Sequence, residues 1–465
     1  MPQPNNLETQ FVEPPSFPRI DMWSNTIASR GNHPPVWKYL LSDGSETRGG
    51  TTGIYTNPFG DLITGASNLG AVPGFEFFAV PSTTPALKFD VFPGAPAVTD
   101  GATIVFKGNF TTDSGAKTGV YYRDLTSAPL PGPDASTLAP AGGTAPVIAL
   151  ADTDTVIPGT ASTTFGSTAP PTAVGRWAVF AGFDNEDAPT LGGIYLVPLT
   201  GPRPPLTPLV TIGGMVPGEV KAVFNKLGEG VSFDGRFVAF WGAWGSASKT
   251  LILQCPTEGN ADRVAFCNQQ YPNGFTTTVP LHQGIFVHDT RTGRTRAVAK
   301  APADFDDFVY WNFSGLVPGT GESDDAGEPA RWRSASFVAV SGLVDGDLGD
   351  ADFHTAFKAR TGAIANGAYV APIDGIYLRK GPGAPPFDIV AQTGMAGTVF
   401  DPAAVAVDET TGDPVVLPVT EMGIERDGFR GSALAVNVSM GTEEAGWAGI
   451  YLTAVPNDDE AIAGH

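Results

Sequence analysis

The side chains best equipped for chemistry crowd into "VDGDLGDADFH", which places Asp345, Asp347, Asp350 and Asp352 close together with His354 just beyond. Carboxylates separated by glycine suit a hard cation such as calcium, which takes about 6–8 oxygen ligands from a flexible loop. The spacing is not that of an EF-hand and no Glu closes it, so a solvated acidic loop is the competing reading. Glu322, Asp324 and Asp325 of "GESDDAGEP" could share such an ion. The same carboxylates offer acid–base work. A glycosidase needs an acid and a base or nucleophile, about 5–5.5 Å apart for retention or about 6.5–9.5 Å for inversion. Asp347 or Asp350 beside Glu443 of "GTEEAGW" is the easiest pair to bring together. A lyase would instead use His354 as base, with Arg30 or Lys107 neutralising a uronate.

Aromatic and paired-cysteine residues add two further signals. Trp37, Trp241, Trp244 and Trp447 are candidate stacking surfaces for a sugar ring, although Trp is equally a core residue. Cys255 and Cys267, the only cysteines, fall in "LILQCPTEGNADRVAFC" and are expected to close a local disulfide, which implies an oxidising compartment. The sequence has no G-x-S-x-G, Walker loop or H-E-x-x-H pattern, so triad hydrolysis, P-loop chemistry and zincin chemistry are unsupported.

The elements that must position these residues are short and repeated. "GIY", "GVY" or "GIF" begins at Gly53, Gly119, Gly193, Gly284, Gly375 and Gly449. Upstream of each lies an apolar burst: "NTIASRG", "ATIVFKG", "RWAVFAG", "RFVAFWG", "SFVAVSG" and "SALAVNV". Downstream come another apolar run and, in most copies, a "PG" connector. Runs of this length bounded by Gly, Pro, Asp or Asn are strands and turns. Four strands per unit in six copies predict an all-β fold, a single six-bladed β-propeller of four-stranded antiparallel blades. The expected domain is 1–465, with blades near 11–74, 75–159, 160–218, 219–319, 320–397 and 398–465. Either "LETQFV" or "EAIAGH" could close the last blade, the second fitting the repeat register better.

"VSFDGRFVAF" followed by "GIFVHDTRTGRTRAVA" resembles the TolB-type PD40 propeller repeats, with Phe233 where that family has proline. The match is close in this blade and eroded in the others. The resemblance implies a propeller and no single activity, because such repeats serve many functions.

In a propeller the second-to-third-strand loops share one face, and function tends to sit on variable loops held by a rigid frame. Those loops are expected to be long at Asn32 to Thr52, Ala243 to Gln283 and Leu343 to Asp374, walling a ligand cleft. The residue before the glycine of each burst should recur at one height: Arg30, Lys107, Ala181, Trp241, Ser341 and Asn437. Two cations, an aromatic and two hydrogen-bonding side chains there would hold an anionic sugar or carboxylate; inter-blade packing is the competing reading. Asp184, Glu186 and Asp187 could meet Glu443 and Glu444 only from the opposite side of the ring, which weakens that pairing.

Composition narrows the classes of partner. The chain has 465 residues, 58 Gly and 42 Pro, so turns are frequent and long helices unexpected. Its formal charge of −21 excludes a phosphate-backbone partner and disfavours an anionic membrane surface. No apolar run is long enough to insert in a membrane. The start, "MPQPNNLETQFVEPP", has no signal-peptide pattern, which fits either a cytoplasmic protein or a mature form given a new initiator Met, and the cysteines make the extracytoplasmic location the expected one. The expected function is binding of a glycan or small ligand on the long-loop face, with possible calcium assistance. The alternatives are a carbohydrate-active enzyme (glycoside hydrolase or polysaccharide lyase) and a protein-interaction scaffold.

Overall fold

In a computed structural model the chain folds as a β-propeller of six small antiparallel blades. The structure describes residues 2–3, 6–10, 18–32, 37–40, 46–49, 52–71, 75–125, 144–257, 259–315, 317, 330–342, 353–381, 386–408, 410–442 and 445–455. Two compact units divide the chain, Met1–Ile212 and Gly213–His465.

The first unit carries three blades. Their second and third strands are Ile27–Asn32 with Thr52–Phe59, Thr103–Thr112 with Gly115–Asp124, and Trp177–Phe183 with Gly192–Pro198. Blade one shares its core with blade two through Ala28, Ile54, Ile104 and Tyr121. Blade two shares the next with blade three through Val105, Tyr122, Phe180 and Val197. Alternate residues of one strand thus serve different cores, which is why these strands are apolar without interruption.

The repeated motif has a packing cause. In "GVY" the Tyr121 ring folds back over Gly119, where a Cβ would stand 2.5 Å from Tyr121 Oη and 2.9 Å from the Ala151 carbonyl oxygen. Gly375 and Gly449 are crowded in the same way by Tyr377 and Tyr451. The glycine of the preceding burst is pressed by a phenylalanine from the approach segment: Phe89 on Gly108, Phe165 on Gly182 and Phe224 on Gly242. Each such ring meets at least two more, as in Phe165, Phe180 and Tyr195, with centroids 5.4–6.2 Å apart. Burying each of these side chains contributes about 1.5–3 kcal/mol.

The second unit also carries three blades. Blade four pairs Phe237–Leu253 with Phe275–Asp289. Its strands run on past the blade as a hairpin arm that carries the helix Ala261–Gln270, N-capped by Asn260. The expected loop Ala243 to Gln283 is therefore largely strand. Blade five pairs Phe353–Ala365 with Ala368–Lys380, a second arm turning at Asn366 and Gly367. Blade six comprises Val419–Arg430, Ala433–Gly441 and Gly446–Ala454. The candidate closing strand "EAIAGH" lies outside the described residues, and residues 7–10 of the N-terminal "LETQFV" segment belong to the strand Asn6–Gln10, which pairs with Pro2–Gln3.

Blade five corrects one expectation. The burst "SFVAVSG" is its first strand, Val338–Gly342, paired with Phe353–Phe357. The second strand is the run through "TAFKA": Ala359 faces Gly375 as Gly242 faces Gly284, and Phe357 takes the place of Phe240. Residues 343–352 consequently join the first strand to the second, and do not join the second to the third. Lys358, not Ser341, is the equivalent of Trp241 and Asn437, each of which pairs with the isoleucine of its Gly-Ile motif.

Candidate functional site

The two arms of the second unit touch at their tips. Ile252 N–H donates to the Gly367 carbonyl at 2.7 Å. Gly367 has φ +79°, and a Cβ there would press 2.8 Å from Ile252 Cγ1, so both the turn and the contact require glycine. The hairpin of Tyr310–Ser314 and Arg331–Ala335 sits against the blade-four arm, with Trp332 stacked on Phe275 at 6.0 Å. Between arms, hairpin and blade six lies a cavity of about 540 Å³, lined among others by Tyr310, Trp311, Lys358, Tyr369, Glu421 and Asn437.

A buried carboxylate fixes this arrangement. Asp307 is fully buried and accepts from Gln283 Nε2 at 2.9 Å, Tyr369 Oη at 2.6 Å, and the N–H groups of Phe308 and Val309 at 2.8 and 3.0 Å. Lys249 Nζ stands 3.4 Å from its second oxygen. Gln283 in turn accepts from Trp241 Nε1 at 2.9 Å. Blade four supplies Lys249, Gln283 and Trp241, and blade five supplies Tyr369, so one residue couples both arms. A charge in so dry a place persists only with such a complete donor set.

Two cations stand on the cavity wall of blade five, two residues apart, and share the Tyr310 ring. Arg360 lies 5.0 Å from its centroid and is held by Asp374 at 2.6 and 2.9 Å. Burial opposes the Arg360 charge, but the Asp374 bonds outweigh it and raise the pKa. Lys358 Nζ lies 4.3 Å from the Tyr310 centroid and 5.5 Å from that of Phe337. Among the described residues its ammonium has neither a hydrogen bond nor an ion pair. Burial lowers the Lys358 pKa; Asp374 and Glu421 oppose the shift and Arg360 adds to it. Tyr310 and Trp311 also line the cavity, while their Oη and Nε1 atoms are buried away from solvent without a partner among the described residues. Burial pushes the Tyr310 hydroxyl well above its usual pKa, so it remains a donor.

The residues nominated from sequence fall in several places. Trp241 and Trp244 are buried, the first bonded to Gln283 and the second stacked on His282, so they are core residues and not an exposed platform. His354 is buried too, its ring stacked on Phe429 and its Nδ1 accepting from Gly381 N–H at 3.2 Å, so it does not stand open as a base. Trp447 is exposed and donates to Asp401 at 3.1 Å. Arg30 and Lys107 are half-buried in the first unit. Trp37 lies in the strand Trp37–Leu40, whose side chains are outside the described set. Asp345, Asp347, Asp350, Asp352, Glu443, Glu444, Glu322, Asp324 and Asp325 are also outside the described residues. No cluster of three or more metal-ligating side chains occurs among the described residues.

Cys255 and Cys267 form the disulfide, which ties the helix to the end of the blade-four strand beside the cavity wall. No described helix is long and apolar enough to cross a membrane. Lys358 escaped the sequence reading because "FVAVSG" imitates the burst better than "TAFKA" does. The available signal was that "AFKA" stands nearer to its "GIY" than "AVSG" does.

No known protein-family profile matches the chain, and no curated protein matches it. The fold and the cavity thus carry the functional reading by themselves.

Proposed function

We propose that the unit Gly213–His465 binds a small ligand bearing one carboxylate, such as a uronic-acid sugar, in the cavity beside Lys358. One observation carries this reading: the half-buried Lys358 ammonium stands on the wall of a cavity with no hydrogen bond or ion pair among the described residues. A half-buried ammonium without an anionic partner is incompletely solvated, and a carboxylate in the cavity would supply the charge-assisted bond it lacks. Tyr310, Trp311, Tyr369 and Phe337 give the cavity an aromatic lining against which a sugar ring could pack. Glu421 on the same wall and the net charge of −21 select against polyanions. Asp374, engaged by Arg360, is not free for acid–base work, which favours binding over glycoside hydrolysis.

The disulfide supports an oxidising, extracytoplasmic setting, and the burst and turn of blade four support PD40-type ancestry for the repeats. A glycan array read with and without chelator tests the function. Mono-uronate spots are expected to survive chelator and to fade for Lys358→Met. Spots that ignore this substitution would overturn the assignment, and spots that vanish with chelator would return the site to the acidic segment 345–352.

A further inference from the structure

Several cations of the second unit lie over aromatic rings, and Lys358 does so without an anionic partner within bonding distance. Arg236 is bonded to Asp289, Arg360 to Asp374 and Lys300 to Glu219. Lys249 is placed against Asp307. Lys358 instead lies over the faces of Tyr310 and Phe337, with Arg360 on the same Tyr310 ring. A lysine desolvated by aromatic rings and set beside a second cation is the arrangement that frees an amine for attack on a carbonyl.

We propose that Lys358 condenses reversibly with an oxo-carboxylate, a ligand whose aldehyde or ketone carbon adjoins its carboxylate. This rests on the cavity being a carboxylate site. Asn437 on the same cavity wall would meet the carboxylate, leaving the carbonyl carbon to the amine. The ammonium first gives a proton to water. The nitrogen lone pair then forms the C–N bond while the carbonyl π pair moves to oxygen, which is protonated. Loss of that oxygen as water and of the remaining nitrogen proton leaves the C=N bond, so amine plus carbonyl gives imine plus water with no change of oxidation state. Burial and the neighbouring Arg360 lower the Lys358 pKa, Asp374 and Glu421 opposing, which enlarges the neutral fraction.

The test incubates the intact protein with glyoxylate and sodium borohydride and maps the adducts by peptide mass spectrometry. Binding of glyoxylate without borohydride is measured in parallel by calorimetry. The expected result is an adduct at Lys358 at least tenfold more abundant than at Lys117, Lys226 or Lys300, suppressed by excess acetate and absent from Lys358→Arg. Binding without an adduct would refute the condensation and leave the carboxylate site standing. Adducts spread evenly over the lysines would refute it too. Absence of both binding and adduct would overturn the condensation together with the carboxylate reading. The wild-type map decides the matter even if the variant fails to fold.

Discussion

Replacing Asp307 by alanine should be among the most damaging single changes in the second unit. The substitution would take the acceptor from Tyr369 Oη and from the N–H groups of Phe308 and Val309, leave Gln283 Nε2 with the Pro280 carbonyl alone, and leave the largely buried Lys249 ammonium with the Asp306 carbonyl but no counter-charge. Leaving one partner of a buried ion pair alone costs about 3–5 kcal/mol, and each neutral donor without an acceptor adds roughly 1–3 kcal/mol before relaxation. A loss of at least about 4 kcal/mol is expected, a large share of the roughly 5–15 kcal/mol typical of a folded protein. Because the strands of both arms meet at Asp307, the damage should be local first. Hydrogen exchange should accelerate in 249–253, 275–283 and 361–374 ahead of the blade strands. Asp307→Asn keeps the shape but must turn a donor towards another donor, so it should fall between alanine and wild type. Asp154→Ala is the control, since its bond to Lys117 is exposed and worth about 0–1 kcal/mol. If Asp307→Ala unfolds in urea within 1 kcal/mol of Asp154→Ala, on the order set by that surface value, the inference that this carboxylate holds the arms is wrong.

Further outcomes follow from the same geometry. Gly119→Ala should cost about 1–3 kcal/mol by overpacking against Tyr121 and the Ala151 carbonyl, read as a lowered melting temperature; an unchanged melt would refute the steric account of the motif. Replacing Cys255 and Cys267 by serine opens a loop of sequence separation 12 and should loosen the helix by about 2–3 kcal/mol, seen as faster proteolysis at 255–270. Burial would raise the Asp289 pKa, but the bonds from Arg236, Arg291 and Thr292 prevail and hold it at about 2. This folded value lies below the unfolded one, so the stabilisation is complete above about pH 4 and is lost as pH falls towards 2. Arg236→Ala should therefore flatten the acid limb of the stability profile, and an unchanged limb would contradict that assignment. Burial also lowers the His288 pKa, with Asp289 opposing. Stability should thus fall as pH drops below about 6.5, and less so in His288→Phe when melting is followed across that range.

How much of this was legible in the sequence differs by level. The blades were, because the glycines of "GIY" and of "VAFxG" are imposed by rings lying across them, as at Gly119 and Gly182. A steric demand that recurs from blade to blade, met by a tyrosine ring at Gly53, Gly119, Gly375 and Gly449 and by the Val210 carbonyl at Gly193, leaves a repeated letter. In blade five the burst glycine is Ala359, and the look-alike "AVSG" in its first strand shifted the frame, which put Ser341 where Lys358 belongs. The Trp assignments failed for a related reason. Residues 237–244 are buried without a break, so Trp241 and Trp244 belong to a strand covered on both sides, and a strand of that kind continues past the blade edge. The cavity itself was not legible: Tyr310, Trp311, Lys358 and Glu421 come from segments far apart in sequence, brought together by arms that the turn residues alone did not distinguish from loops.

The most direct measurement is a calorimetric titration of the intact protein with galacturonate and, separately, with galactose. The sugars differ chiefly in the carboxylate, so a cavity whose wall carries the unpaired Lys358 ammonium should prefer galacturonate by at least about tenfold, the equivalent of roughly 1.4 kcal/mol. Equal affinities, or no heat from either sugar while neutral ligands bind, would contradict the assignment of the Lys358 cavity as a carboxylate site.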